Sequence, residues 1–219
     1  MNTQKILSLY PPYNLQQHSQ TMVAIAAGQA SVVPRQLSPR VEALLALVHV
    51  VEDLHPLTVG HSRRVADAAV VMGQVLGLSA SELCHLNDGG LLHDLGKICV
   101  SDSILRKTGP LTFEEQVVIR RHPFRGWEIL DAVGHFEYLQ PMVLWHHERY
   151  DGTGYPDHLM GDDIPLAARI LAVADSFDAM NSGRAYRPAS RLPHITEIFR
   201  EGQGKQWDPL VVEALLDNL

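Results

Sequence analysis

Apolar residues recur at intervals of three or four along most of the chain from residue 39 onward. Within the segment 58–76, one such stripe carries His61, Val65, Ala68, Met72 and Val75. This spacing is typical of an amphipathic helix whose apolar face packs on a core. The pattern therefore predicts a helix here and places the His61 side chain on its inward face.

Capping residues mark several helix starts. Ser38 followed by Pro39 combines an N-cap with a first-turn proline. Ser79 and Thr112 are each followed three residues later by glutamate, which is the capping-box pattern. No stretch of the sequence requires a strand. We therefore predict an all-α fold, a bundle of many helices.

Polar residues interrupt the predicted core at particular places. They lie on inward stripes or at helix ends, and they are His61, His93, Asp94, His122, His146, His147 and Asp175. A single inward histidine is usually a core residue with a hydrogen-bond partner, and a single aspartate usually caps a helix or pairs with arginine. Seven together favour another interpretation, because buried charges are costly unless they are paired or bind metal.

The ligand types narrow the kind of metal site. A mixed set of imidazoles and carboxylates suits iron, manganese, zinc or nickel, whereas structural zinc sites favour cysteine and close at four ligands. Seven ligands exceed what one ion needs. In the adjacent pair His93–Asp94, the aspartate can bridge two ions while the histidine binds one. Two close ions are typical of phosphoester hydrolysis.

Composition excludes several classes of function. The 219-residue chain has a formal net charge of −7, which argues against binding polymeric nucleic acid or anionic membrane. No apolar run reaches the roughly 18 residues of a membrane span. Two cysteines cannot build a disulfide framework, so we expect a reducing, cytoplasmic location. Residues 1–38 are predicted to be an extension, and residues 39–219 the helical domain.

Five motifs occur in a fixed order between residues 57 and 188. They are TVGHSRRV, LLHDLGKI, RRHPFRGWEIL, WHHERYDGTGYP and ILAVADSFDAMNSGRAYR. The set resembles the HD-GYP branch of the HD phosphohydrolase superfamily, and the likeness covers roughly residues 40–216. It implies a helical HD-domain bundle around a buried dinuclear metal centre. It also implies a phosphodiesterase that acts on cyclic dinucleotides, chiefly cyclic di-GMP, and whose product is pGpG or GMP.

The resemblance also assigns ligands to the two ions. One ion would be held by His61, His93, Asp94 and Asp175, and the other by Asp94, His122, His146 and His147. Iron or manganese is expected, with zinc or nickel as alternatives. Members that hold three metals carry a glutamate where this chain has Leu57, so two ions are expected here.

Further residues are candidates for catalysis and substrate binding. Lys97 follows His93 by one turn and can reach the same pocket, so we assign a catalytic role to Lys97 as well as Asp94. In DGTGYP, Gly154 permits close backbone approach to a ligand and Tyr155 can stack on a base. A plain surface turn is the alternative interpretation of this loop. By resemblance, Arg184 and Arg187 would grip the substrate phosphates.

Other functions remain open from the sequence. A related HD phosphohydrolase could act on another nucleotide or a hybrid cyclic dinucleotide, and a catalytically weak receptor could bind cyclic di-GMP and signal through a partner protein or as a homodimer. Degenerate receptors usually lack a metal ligand or the lysine. This chain retains all seven candidate ligands and Lys97, which favours an enzyme.

Overall fold

The computed structural model describes residues 37–54, 58–182 and 190–219. Their α-helices, numbered in chain order, are α1 Pro39–Asp53, α2 His61–Val75, α3 Ala80–Leu92, α4 Asp102–Leu105, α5 Phe113–Ile119, α6 His122–Val133, α7 Gln140–Trp145, α8 Leu166–Asn181, α9 Leu192–Gly202 and α10 Pro209–Leu216. Short 3₁₀ helices span Leu95–Cys99 and Gly161–Asp163. These ranges contain no extended strand, and an isolated bridge joins Gln203 and Trp207. The all-α prediction is confirmed.

The predicted helix starts are present. The Ser38 side chain accepts a hydrogen bond from the Val41 amide at 3.2 Å and caps α1. Both capping boxes form, at Ser79 before α3 and at Thr112 before α5. Local hydrogen bonding at these three positions thus sets the helix boundaries that the sequence indicates.

Two features of the helices were not specified by the sequence pattern. The helix that Thr112 caps ends at Ile119, and His122 and Pro123 begin the next helix, α6, after a break at Arg120 and Arg121. Proline is well accommodated near the start of a helix, where its missing amide leaves no partner unsatisfied. The sequence analysis did not identify α9, although Ile195 and Phe199 place a clear apolar stripe in the core.

Tight helix contacts bring the site-bearing elements together. Helices α2 and α3 approach so closely at Gly90 that a Cβ there would lie 2.5 Å from the Ala66 Cα. The 3₁₀ segment meets α6 in the same way, since a Cβ on Gly96 would collide with the His122 carbonyl oxygen and lie 2.5 Å from the Gly126 amide nitrogen. Glycine therefore permits the close approach that places His122 beside the His93–Asp94 pair.

None of the helices in the described ranges combines the length and the apolar character needed to cross a bilayer. The extension predicted for residues 1–38 lies almost wholly outside the described residues, as does Leu57.

Gly96→Ala should destabilise the fold, because the new methyl group would meet backbone atoms that cannot rotate away. Overpacking of this kind costs about 1–3 kcal/mol, which urea unfolding monitored by circular dichroism would measure. Gly109→Ala is the matched control, since no heavy atom lies within 4 Å of its added Cβ. Equal stability of the two variants would show that the contact between the 3₁₀ segment and α6 is loose.

Candidate metal centre

The structure brings all seven predicted metal ligands to one place. Two clusters have ligand atoms that all lie within 4.8 Å of one another: one comprises His61, His93 and Asp94, and the other His122, His146 and His147. The seventh residue, Asp175 on α8, places its Oδ1 atom 3.3 Å from the His61 Nε2 atom. Sequence-distant helices therefore converge on a single polar centre within the core.

Asp94 lies between the two clusters. Its Oδ2 atom is 3.7 Å from the Nε2 atom of His61 and 3.4 Å from that of His93. Its Oδ1 atom is 3.2 Å from the Nε2 atom of His122, in the other cluster. One oxygen thus faces each cluster, which is the arrangement expected of a bridging carboxylate.

Backbone carbonyls orient three of the histidines. His93, His122 and His146 each donate a hydrogen bond from Nδ1 to the carbonyl three residues earlier, at 2.8, 2.8 and 2.9 Å respectively. A carbonyl can only accept, so the proton lies on Nδ1 and the Nε2 lone pair faces the centre. Metal-binding histidines are commonly held by a hydrogen bond at the second ring nitrogen.

His61 is oriented by a carboxylate instead. Its Nδ1 atom lies 2.7 Å from Oδ2 of Asp178, which is buried on α8. Asp178 also accepts hydrogen bonds from Arg64, from Nε at 2.6 Å and from Nη2 at 3.1 Å. The arginine compensates the buried negative charge, and the carboxylate fixes the imidazole.

The ionisation states suit cation binding. Burial would raise the pKa of Asp94, but the charges of Lys97 and His93 hold that pKa well below its ordinary value, so the carboxylate is ionised. Burial and the neighbouring His122 lower the pKa of His147 to about 3, and burial also lowers the pKa of His146. Both of these imidazoles are therefore neutral at pH 7 and have a lone pair to donate.

His61 is the exception among the cluster histidines. Burial by itself would lower its pKa, but the adjacent carboxylates of Asp175 and Asp178 outweigh burial and raise the pKa to about 9. Three carboxylates, including that of Asp94, surround this imidazole. Such an excess of negative charge favours a cation at this position.

Two buried imidazole nitrogens without a good hydrogen bond indicate whether these residues fit a metal ion. Among the described residues, the Nε2 atoms of His61 and His93 are buried and lack a hydrogen bond of good geometry. Carboxylate oxygens lie near both, Asp175 Oδ1 at 3.3 Å from His61 and Asp94 Oδ2 at 3.4 Å from His93. Buried polar nitrogens are rarely left without a hydrogen bond. The donor set combines imidazole and carboxylate, which suits divalent transition ions. The residues therefore fit divalent metal ions.

The loop after the histidine pair packs directly on this centre. The Tyr155 ring stacks on the His147 ring, with centroids 5.0 Å apart. Gly152 has a positive φ of 76°. Gly154 is buried against the backbone of Glu148 and Arg149, where no Cβ would fit. Its close approach is therefore to this chain's own backbone, and contact with a ligand stays a prediction.

Two buried glutamates support the site and were missed by the sequence analysis. Glu52 on α1 accepts hydrogen bonds from the amides of Gly60 at 3.2 Å and Ser62 at 2.7 Å, which caps α2 where His61 begins it. Glu148 accepts the Asp157 amide at 2.7 Å and braces the loop. No local pattern signals the role of Glu52, because it acts across eight to ten residues from another helix.

A cavity of about 670 Å³ opens over the centre. Its polar lining includes His61, Asp94, Lys97, Arg120 and Tyr155, and apolar residues of α1 and of the segment 104–119 form the remaining wall. This volume falls in the range of small-molecule sites. The Lys97 Nζ atom lies 2.5 Å from Asp94 Oδ2, so its charge is at the floor of the cavity.

The other two predicted phosphate ligands cannot be placed in this geometry. Arg184 and Arg187 lie outside the described residues, just after the end of α8. Their assignment to substrate phosphates therefore stays a prediction. Cys84 is buried and Cys99 exposed, and neither belongs to the two clusters.

Sequence comparison finds two groups of relatives. The cyclic di-GMP phosphodiesterase response regulator RpfG of Xanthomonas campestris pv. campestris is 41% identical over 177 residues, covering 80% of this chain and 47% of the relative. The 3'3'-cGAMP-specific phosphodiesterase 2 of Vibrio cholerae is 35% identical over 179 residues, covering 81% of this chain and 34% of the relative. The chain thus spans half or less of the length of these relatives.

Structure comparison supports the same fold. Bd1817, described as an HDG"Y"P protein from Bdellovibrio bacteriovorus, matches with a TM-score of 0.61 at 17% identity, covering 98% of this chain and 67% of the other. The family model described as HD domain matches residues 46–211. That span contains both histidine clusters and the shared Asp94. Since the match to this family model covers well over half of the sequence, the chain belongs to the HD domain family.

Proposed function

We propose that this protein is a metal-dependent phosphodiesterase of the HD-GYP branch that hydrolyses cyclic di-GMP to pGpG and then to GMP. The observation that carries this proposal is the position of Asp94. Its two oxygens face two separate histidine clusters at the floor of a ligand-sized cavity. Such an arrangement suits a pair of ions that share one carboxylate, as in two-metal phosphoester hydrolysis.

The relatives support the choice of substrate. RpfG and further relatives from Vibrio cholerae and Thermotoga maritima are named cyclic di-GMP phosphodiesterases. The cavity is large enough for a ligand of this class, and its wall combines apolar side chains with cationic ones. Apolar surface suits the faces of purine bases, and cations suit their phosphates.

The chain's own residues would hold two ions. His61, His93, Asp94 and Asp175 would bind one, and Asp94, His122, His146 and His147 the other. The metals are iron or manganese, with zinc or nickel as alternatives. When bound, such ions supply Lewis acidity and lower the pKa of water.

Three cationic residues would act on the substrate phosphate. Lys97 already lies 2.5 Å from Asp94, so its ammonium group would hold a non-bridging phosphate oxygen and stabilise the charge that develops during hydrolysis. Arg184 and Arg187 would clamp phosphate oxygens through their planar guanidinium groups, on the strength of the motif that contains them. Tyr155 would stack on a base or meet a phosphate at the cavity wall.

A hybrid cyclic dinucleotide is the second candidate substrate. Relatives named 3'3'-cGAMP-specific phosphodiesterases are 35% and 37% identical to this chain. Both substrates share the ribose–phosphate ring and differ in one base. A receptor without activity is less consistent with the site, because all seven candidate ligands converge and Lys97 lies beside them. We place the enzyme in the cytoplasm, either as a homodimer or with a signalling partner.

The substrate assignment is tested by hydrolysis of cyclic di-GMP with manganese-loaded protein, followed by chromatography of the products. We expect pGpG first and GMP later, no turnover after chelation, and recovery when metal is restored. Parallel reactions with 3'3'-cGAMP give the relative kcat/KM. A preference for 3'3'-cGAMP of tenfold or more would replace the leading substrate with the hybrid one.

The metal assignment predicts two ions per chain in tag-free protein, measured by elemental analysis. His146→Ala should lose the ion of its own cluster and retain the other, because His61, His93 and Asp175 remain. Three tightly held ions in the unaltered protein, or full metal content in the variant, would contradict the assigned ligand sets.

Asp94→Asn keeps the side-chain shape but removes the charge that both clusters share. We expect activity to fall roughly 100-fold or more, since even residues that support ligands are worth 10–100-fold. Metal content should fall with it. Asp217→Asn, at an exposed position directly after α10, controls for the loss of one negative charge. Normal turnover by Asp94→Asn would show that the Asp94 carboxylate is not needed for hydrolysis.

A further inference from the structure

We propose that Arg120 binds the second phosphodiester of a cyclic dinucleotide, the one that is not being cleaved. This inference rests on the proposed function and extends it to a specificity-determining residue. Arg120 directly follows α5, two positions before His122, and it lines the cavity together with Asp94 and Lys97. It therefore faces the same ligand space as the metal centre without belonging to either histidine cluster.

The positive charges of the cavity are not equally available. Lys97 pairs with Asp94 at 2.5 Å and would serve the phosphodiester that is cleaved, and Lys107 pairs with Glu115 at 2.5 Å. The guanidinium of Arg120 forms no ion pair with any carboxylate in the described part of the chain and lies over the Tyr155 ring. Among the lysines and arginines of the described ranges that line the cavity, Arg120 is therefore the one without a carboxylate partner, and it can take an added anion.

An aromatic stack fixes where this charge lies. The Arg120 Cζ atom lies 5.3 Å from the centroid of the Tyr155 ring, and that ring stacks on His147 at 5.0 Å. Contact with an aromatic face leaves the N–H groups at the guanidinium edge free to donate. The edge can then hold two phosphate oxygens at once. The stack thus sets the distance between Arg120 and the second histidine cluster.

The chemistry of the substrate supplies a partner for this charge. A cyclic dinucleotide carries two phosphodiesters on opposite sides of one ring. When one of them lies at Asp94, the other must lie elsewhere in the cavity, where an uncompensated anion would be costly. The apolar wall, formed by Val48, Val51, Ile104, Leu105 and Leu111, suits bases better than phosphates. Arg120 supplies the positive charge that the second phosphate needs.

The test compares substrates with one and with two phosphodiesters. Arg120→Gln should raise the KM for cyclic di-GMP and for 3'3'-cGAMP by roughly 10- to 100-fold, the value of a lost charge-assisted hydrogen bond. Its kcat/KM for bis(p-nitrophenyl) phosphate, which has a single phosphodiester, should stay within about twofold, and its metal content should be unchanged. Arg120→Lys keeps the positive charge but loses the bidentate guanidinium group. Its KM for the cyclic dinucleotides should therefore lie between the KM of the unaltered protein and that of Arg120→Gln.

Arg121→Gln is the matched control, because Arg121 is the exposed neighbour and is not among the residues that line the cavity. It removes the same charge and should leave the KM for both cyclic dinucleotides unchanged. An equal effect of the two variants would indicate general attraction of anions and overturn the assignment.

The remaining outcomes also decide the question. A matching loss on bis(p-nitrophenyl) phosphate would mean that Arg120 acts on the metal centre through Tyr155, and a loss on only one cyclic dinucleotide would mean that it reads a base. Either result overturns the inference while the proposed function stands. If the unaltered protein hydrolyses neither dinucleotide, the proposed function fails. In that case, calorimetric titration with cyclic di-GMP tests the role of Arg120 in binding. If the unaltered protein and Arg120→Gln bind with equal affinity, or if neither binds, the inference is overturned as well.

Discussion

An ionised carboxylate in the core of a helical protein requires positive charge beside it, and Lys97 supplies such a charge to Asp94. The Nε2 lone pairs of His93 and His122 face the two Asp94 oxygens, so a cation between the imidazoles and the carboxylate would complete the compensation. An isolated buried charge would be strongly unfavourable. The helices are therefore arranged so that polar groups from separate parts of the chain meet at this point, and the same arrangement creates two places for a cation.

The carbonyl groups at helix ends orient three of the histidines at this centre. A helix leaves its last carbonyls without intrahelical partners. His93 and His146 each follow the last residue of a helix, and each donates its Nδ1 proton to a carbonyl of that final turn; His122 does the same toward the end of α5. One hydrogen bond thus satisfies a terminal carbonyl and turns Nε2 toward the centre. His61 begins α2 instead, where no such carbonyl is available, and it uses Asp178.

The loop that follows the histidine pair extends this order toward the ligand space. Gly154 packs on the backbone of the preceding turn, which holds Tyr155 over His147, and Arg120 lies over Tyr155 in turn. The cavity is therefore bounded by groups whose positions depend on the metal-binding residues themselves. The stacked rings thus place a cationic group at the cavity wall without making it part of either histidine cluster.

The sequence by itself determined the helical class, most of the helix starts and the seven residues that converge. The helices follow from periodicity and caps, which are local, and the seven residues follow from their inward positions and from the order of the motifs along the chain. It did not reveal α9, the role of Glu52 in capping α2, or the availability of Arg120. These depend on which residues meet across long sequence separations. Only the tertiary structure decided that Asp94 faces both clusters, because that requires α3, α6 and α7 to pack at glycine-permitted distances.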